Sequence, residues 1–217
     1  MPFKRLLCQA FFIITASPVL AHGMEDTLAR NSLIYNGTEY TKQFTVDMGS
    51  PFLTGGMLSG SVTCNGARYS PVDFYFDCQD DVLLIRDLNG TFRLQLIKEK
   101  LESFSFSDRT FVKLKLQSSR GEFYEQSYKG RRSVLIQWQN SLQRNMQELM
   151  RFKLTKTIYL YDGQSLRPLQ RGSDLFRSLG TYARKARQWA REDKLSFRRD
   201  PVKMIVTIVQ KAESAGW

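Results

Sequence analysis

The 217-residue chain contains one histidine, His22. A serine or cysteine nucleophile needs a base held beside it, and a single imidazole so near the start gives such a pair no anchored partner. Cysteines are also few, at positions 8, 64 and 78. Two cysteines on one predicted hairpin plus a lone histidine do not make a four-ligand zinc set. The chain has no heptad run, no repeat of long period and no low-complexity linker. Phosphate-loop spacing is missing too: in "GSPFLTGGMLSGS" Gly56 and Met57 follow Gly55 where a lysine and a hydroxyl should stand. The same stretch does not fit the Gly-x-Ser-x-Gly elbow of a hydrolase nucleophile. No metal and no cofactor is expected.

Long apolar runs are confined to the first residues. "MPFKRLLCQAFFIITASPVLA" has Lys4 and Arg5, an apolar run from Leu6 to Ala16, then Ser17, Pro18 and Val19-Leu20-Ala21. Those are the three zones of a secretory signal. The rival reading is a membrane anchor, but the run is short for a bilayer span and carries Gln9, Ser17 and Pro18. The pattern therefore predicts a signal peptide over 1–21, cut between Ala21 and His22, and an extracytoplasmic, most naturally periplasmic, address. Cys8 lacks the small-residue context of a lipid attachment site. No later segment is apolar enough to span a membrane as a helix.

Three Asn-Gly pairs punctuate the first half, at 36–37, 65–66 and 89–90, each flanked by β-branched or aromatic residues. Asn-Gly between such runs is the strongest short-range hairpin signal. Period-two runs continue in "SFSFSD", "TFVKLKLQ", "FYEQSY" and "SVLIQWQ", followed by a hairpin in "TIYLYDGQSLRPL". In "TFVKLKL" the alternation sets Phe111, Lys113 and Lys115 against Val112, Leu114 and Leu116, which suits a sheet with one solvated face. After Gly172 the period lengthens. Ser173 can cap a short helix "DLFRSL", and Thr181 can cap "YARKARQWAREDKL", with Tyr182, Ala186 and Trp189 on one face. Asp200-Pro201 opens "VKMIVTIVQKAES", where Val202, Ile205, Val209 and Ala212 form a helical stripe; its many β-branched residues leave a strand reading open. The expectation is an α+β protein. A curved antiparallel sheet (meander, sandwich or half-barrel) fills 22–172, and about three helices over 173–217 pack on it.

In this reading Cys64 stands beside the Asn65-Gly66 turn and Cys78 at the far end of the second strand. About eleven residues at roughly 3.3 Å each separate them beyond the ~7 Å reach of a disulfide, so two free thiols are expected.

Four aspartates crowd "VDFYFDCQDD". Alternation sends Asp73, Tyr75 and Asp77 to one face and Phe74 and Phe76 to the other, while Asp80-Asp81 falls at a turn. A calcium loop needs ligands spaced around a glycine with a closing glutamate, and neither is present. The expected role is a solvated strand face running into an acidic turn; the competing possibility is a hydrolase that uses Asp73, Asp77 or Asp81.

The formal net charge of +11 is unevenly spread. Residues 22–128 carry 11 Lys and Arg against 14 Asp and Glu, whereas residues 129–217 carry 19 against 7. Arg184, Arg187, Arg191, Lys194 and Arg198 recur at spacings of three and four beside aromatic residues, as one basic stripe. A nucleic acid is not expected for an exported chain, so the partner classes are an anionic lipid, a glycan or an acidic protein surface. The alternative role is a solvated helix face.

The stretches "LIYNGTEY", "GSPF", "GSVTCNGARYSPVDFYFDCQDDVLLI", "FYEQSYKGRRSVLIQW" and "KTIYLYDGQSLRPL", with the closing helices, resemble a family of uncharacterised exported proteins of Bacteroidetes-type bacteria. The resemblance implies a β-rich domain before a small helical tail, and an extracytoplasmic address. Phe76-Asp77 stands where that family tends to have Tyr-Asp, and Cys78 is atypical of it. No catalytic residue carries over. The combined expectation is a non-enzymatic envelope protein that binds a protein, lipid or glycan.

Overall fold

A computed structural model describes residues 34–116, 121–144 and 149–217. The expected signal peptide, Ala21 and His22 lie outside these residues.

The described strands form one antiparallel sheet of 11 strands: β1 (Gly37–Glu39), β2 (Leu58–Cys64), β3 (Ala67–Asp77), β4 (Val82–Arg86), β5 (Arg93–Leu96), β6 (Leu101–Phe106), β7 (Arg109–Leu114), β8 (Glu122–Lys129), β9 (Ser133–Arg144), β10 (Met150–Tyr161) and β11 (Leu166–Pro168). Their order across the sheet is β1-β5-β4-β3-β2-β6-β7-β8-β9-β10-β11. The edges do not meet, so the sheet is open, but it curls strongly. Asn140 N–H on β9 donates to the Cys78 carbonyl just past β3, although four strands lie between β3 and β9.

The turns follow backbone chemistry. Asn65 (φ 50°) and Gly66 (φ 75°) both take positive φ and join β2 to β3 with Cys64 opposite Ala67, as a two-residue hairpin of primed type requires. Asn89-Gly90 lies within a longer β4–β5 connection whose amides are gathered by Asp87: its carboxylate accepts from Asn89 N and Phe92 N. Asn36-Gly37 is not a hairpin turn. Gly37 instead opens β1, which pairs with β5, opposite Leu96. Gly60 sits at a bulge of β2, where an added Cβ would lie 1.9 Å from the Ser105 carbonyl oxygen of β6; only glycine permits that approach.

Inside the curl lies a phenylalanine core. Phe74, Phe76, Phe104, Phe106, Phe111 and Phe123 are all buried, with the Phe104 and Phe111 rings stacked at 4.6 Å. The alternation in β7 is present, but Phe111 faces inward, so its side is not the wet one. Lys113 shares that face and reaches the rim, where its Nζ donates to the Lys98 and Glu99 carbonyls. Arg109 closes the core by a two-pronged pair with Glu125 (3.0 and 2.7 Å), and Trp138 Nε1 donates to the same carboxylate.

Three helices follow the sheet: α1 (Gly172–Ser178), α2 (Ala183–Glu192) and α3 (Pro201–Ser214). They bury Leu175, Ala186, Ala190, Ile205, Ile208, Val209 and Ala212 against Val134, Ile136, Ile158 and Leu160 of β9 and β10, forming a second core. Asp200 caps α3 by accepting from Lys203 N, with Pro201 at the first helical position. Packing decides this segment against its strand alternative. Each buried aliphatic side chain contributes about 1.5–3 kcal/mol, more than the few tenths that a β-branched residue costs a helix. Ser173 lies inside the first turn of α1 and does not cap it; the chain there is held by Asp174, which accepts from Gln170 N and Arg171 N. Thr181 lies in a short 3-10 turn ahead of α2.

Candidate functional site

The acidic cluster separates into distinct environments. Asp73 is exposed, as expected, and lines a cavity of about 460 Å³ together with Tyr69, Arg86 and Asp87. Asp77, expected to be solvated, is completely buried. Its backbone is paired at the edge of β3, where Phe52 stands opposite Asp77 in an antiparallel bridge: Leu53 N donates to the Phe76 carbonyl, and Cys78 N donates to the Pro51 carbonyl. One Asp77 oxygen accepts from Gln79 N and Asp80 N, and the other accepts the Tyr40 hydroxyl at 2.7 Å. Burial, then this bond, pushes the Tyr40 phenol well above its ordinary range. Asp80 pairs with Lys42.

Asp81, at φ 57°, turns away and binds Phe123 N and Lys98 Nζ (2.7 Å). Burial outweighs those favourable partners and raises its carboxyl to about 6. Of the aspartates named for hydrolysis, Asp77 and Asp81 are engaged in separate structural bonds and do not line the cavity that Asp73 lines. No group of three or more His, Cys, Asp or Glu among the described residues is placed to hold a metal. Cys64 and Cys78 are free and buried at opposite ends of the β2–β3 hairpin, and burial raises both thiols.

The basic stripe has a different setting. Arg184, Arg187, Arg191, Lys194 and Arg198 are all exposed. Among the described residues no carboxylate lies in ion-pair range of any of them. The nearby acids are engaged elsewhere: Asp174 and Asp200 at helix starts, Glu192 with Gln188, and Asp193 with Lys211. The stripe is not one helical row, because α2 ends at Glu192. Lys194 takes φ 52°, Lys194 N donates to the Arg191 carbonyl and Leu195 N to the Ala190 carbonyl, the paired closing bonds of a Schellman end. This turn leaves Arg198 beyond the helix and swings Leu195 back against it.

The result is an open groove of about 530 Å³ between α1, α2 and the start of α3. Phe176, Ala190, Leu195, Phe197 and Met204 supply its apolar surface; Arg187, Arg191 and Lys194 stand along one side. The Arg187 guanidinium lies 5.1 Å from the Phe176 ring centroid, within cation–π range. Gly172 and Ser173 keep the opposite wall low. Structure thus brings three of the five predicted cations together around an apolar floor and leaves Arg184 and Arg198 outside it. The floor went unread in the sequence, although "KLSFRR" (Lys194–Arg199) interleaves Leu195 and Phe197 with basic residues.

No protein-family model, no curated protein and no solved structure matches this chain. None of these comparisons supports the expected resemblance to exported Bacteroidetes-type proteins.

Proposed function

We propose that the protein is an exported, non-enzymatic component of the cell envelope that binds anionic lipid through its helical layer. One observation carries the reading: Arg187, Arg191 and Lys194, none with a carboxylate partner among the described residues, line an apolar groove. A glycan would find few polar partners on that floor. A lipid matches both the charge and the apolar surface. The engagement of Asp77 and Asp81 in structural bonds supports binding over hydrolysis. The predicted signal peptide supports the envelope address, and no described helix is long and apolar enough to cross a membrane.

Sedimentation with vesicles tests the reading. The protein should bind phosphatidylglycerol vesicles and ignore phosphatidylcholine ones, with binding weakening as salt screens the charges over a Debye length of about 10 Å at 0.1 M. Changing Arg184, Arg187, Arg191 and Lys194 together to Gln should weaken binding about tenfold or more while sparing stability, since exposed charges add little to folding. Equal binding to both vesicle types, insensitive to salt and to the substitutions, overturns it.

A further inference from the structure

Resting on that lipid reading, we infer that the α1–α2 groove takes up a single acyl chain bearing an anionic head, so that the protein holds one amphiphile in a defined site and is not merely attracted to a charged surface. The argument begins with what the groove presents. Ala190 and Met204 belong to the buried second core, while Phe176, Leu195 and Phe197 are half-buried and packed against it. An alkyl chain laid on these residues would extend the core by one layer and remove their remaining apolar surface from water, which favours its binding.

The concavity comes from small residues. Gly172 and Ser173 on α1 and Ala190 on α2 leave the space that longer side chains would fill; a Cβ on Gly172 would already touch Phe197 Cβ at 3.4 Å. A volume of about 530 Å³ falls in the ordinary range for small-ligand sites.

The charges are placed to read a head group. Arg187, Arg191 and Lys194 follow one another at intervals of four and three along the same wall, so an anion meets two guanidinium forks and an ammonium in succession. Guanidinium forks match carboxylate and phosphate oxygens in pairs. A simple inorganic anion would leave the apolar floor wet, and a neutral hydrocarbon would leave the cations idle. An anionic single-chain amphiphile uses both. The Schellman end of α2 is what joins the two features, since it presents Lys194 to the rim and Leu195 to the floor in consecutive residues.

Dodecanoate, kept below its aggregation limit, is the probe, and isothermal titration calorimetry on the full chain is the measurement. Saturable binding of one dodecanoate per protein is expected. Dodecyl maltoside, with the same chain and a neutral head, should bind at least about tenfold more weakly, as should butyrate, which keeps the head and loses the chain. Ser173→Trp changes an exposed position and fills the groove, so it should abolish dodecanoate uptake while leaving the urea-unfolding midpoint at its wild-type value. R187Q/R191Q/K194Q changes three exposed positions and should weaken dodecanoate about tenfold. Wild-type affinity in Ser173→Trp, or no saturation at all, overturns the inference. If anionic vesicles still bind in that case, the lipid reading survives without the acyl site; if neither vesicles nor dodecanoate bind, both fail together.

Discussion

Three hydrogens converge on the Asp77 carboxylate: those of Gln79 N, Asp80 N and the Tyr40 hydroxyl. Removing a buried acceptor strands its donors at about 1–3 kcal/mol each, partly recovered as water enters. Asp77→Ala should therefore lower stability by about 2–4 kcal/mol in urea unfolding, whereas Asp73→Asn, on the exposed end of the same strand, should stay within about 0.5 kcal/mol. Asp81 makes a prediction of a different kind. Its carboxyl titrates near 6 in the fold against 3.8 when unperturbed, because burial outweighs Lys98 and the Phe123 amide. Between those values the folded chain keeps a proton that the unfolded chain has released, so stability falls as pH rises through that window. Acidifying from pH 7 to pH 5 should add about 1 kcal/mol through this residue. Asp81→Asn tolerates the left-handed backbone and keeps an oxygen for the Phe123 amide, and it should flatten the profile over the same range. An unchanged slope in that variant would assign the pH dependence to other groups.

The end of α2 shows an element shaped against local preference. Its closing residue in the left-handed region is Lys194, where glycine is the common choice. Lys194→Gly should relieve about 0.5–1 kcal/mol of backbone strain and raise the melting temperature by a few degrees, while weakening dodecanoate and vesicle binding through loss of a rim charge. Stability and binding moving in opposite directions would mark Lys194 as retained for the groove. The same position explains where sequence reading stopped. The helical reading ran through Lys194 to Leu195, and spacings of three and four carried the basic stripe on to Arg198, because neither glycine nor asparagine announced the turn. Asn65-Gly66 was legible because two consecutive positive φ values leave few alternatives, whereas the identical pair at 36–37 opens a strand whose partner, β5, lies far along the chain. Alternation correctly set Asp77 opposite Phe76. The pairing of residues 51–53 along the edge of β3 was invisible, since no local pattern encodes which segment comes back to a strand's edge. The groove floor was hidden for the same reason: Phe176, the Leu195–Phe197 pair and Met204 come from three separate stretches, and only helix packing assembles them.

Across the whole molecule the sheet serves two cores. Its curl encloses the phenylalanines at one end, and its β9–β10 face carries the helices at the other, so β9 belongs to both. The seam between β9 and β3 holds the curl in shape. There Asn140 N donates to the Cys78 carbonyl, Asn140 Nδ2 donates to the Ser50 carbonyl at 2.9 Å, and Cys78 N donates to the Pro51 carbonyl. Cys78, 2% exposed, lies at this seam, while Cys64, 8% exposed, lies beside the distant Asn65-Gly66 turn. The two free thiols are therefore built-in reporters of opening at opposite ends of the curl. Asn140→Asp keeps the side-chain shape but turns the donor facing Ser50 into a second acceptor and buries a charge, which breaks the strap without carving a cavity. If the seam opens as a local unit, a thiol reagent at pH 8 should modify Cys78 at least about tenfold faster in this variant, equivalent to about 1.4 kcal/mol of local opening, with the Cys64 rate unchanged. Equal acceleration of both thiols would mean that the curl opens only by unfolding throughout, and that the seam has no stability separate from the fold as a whole.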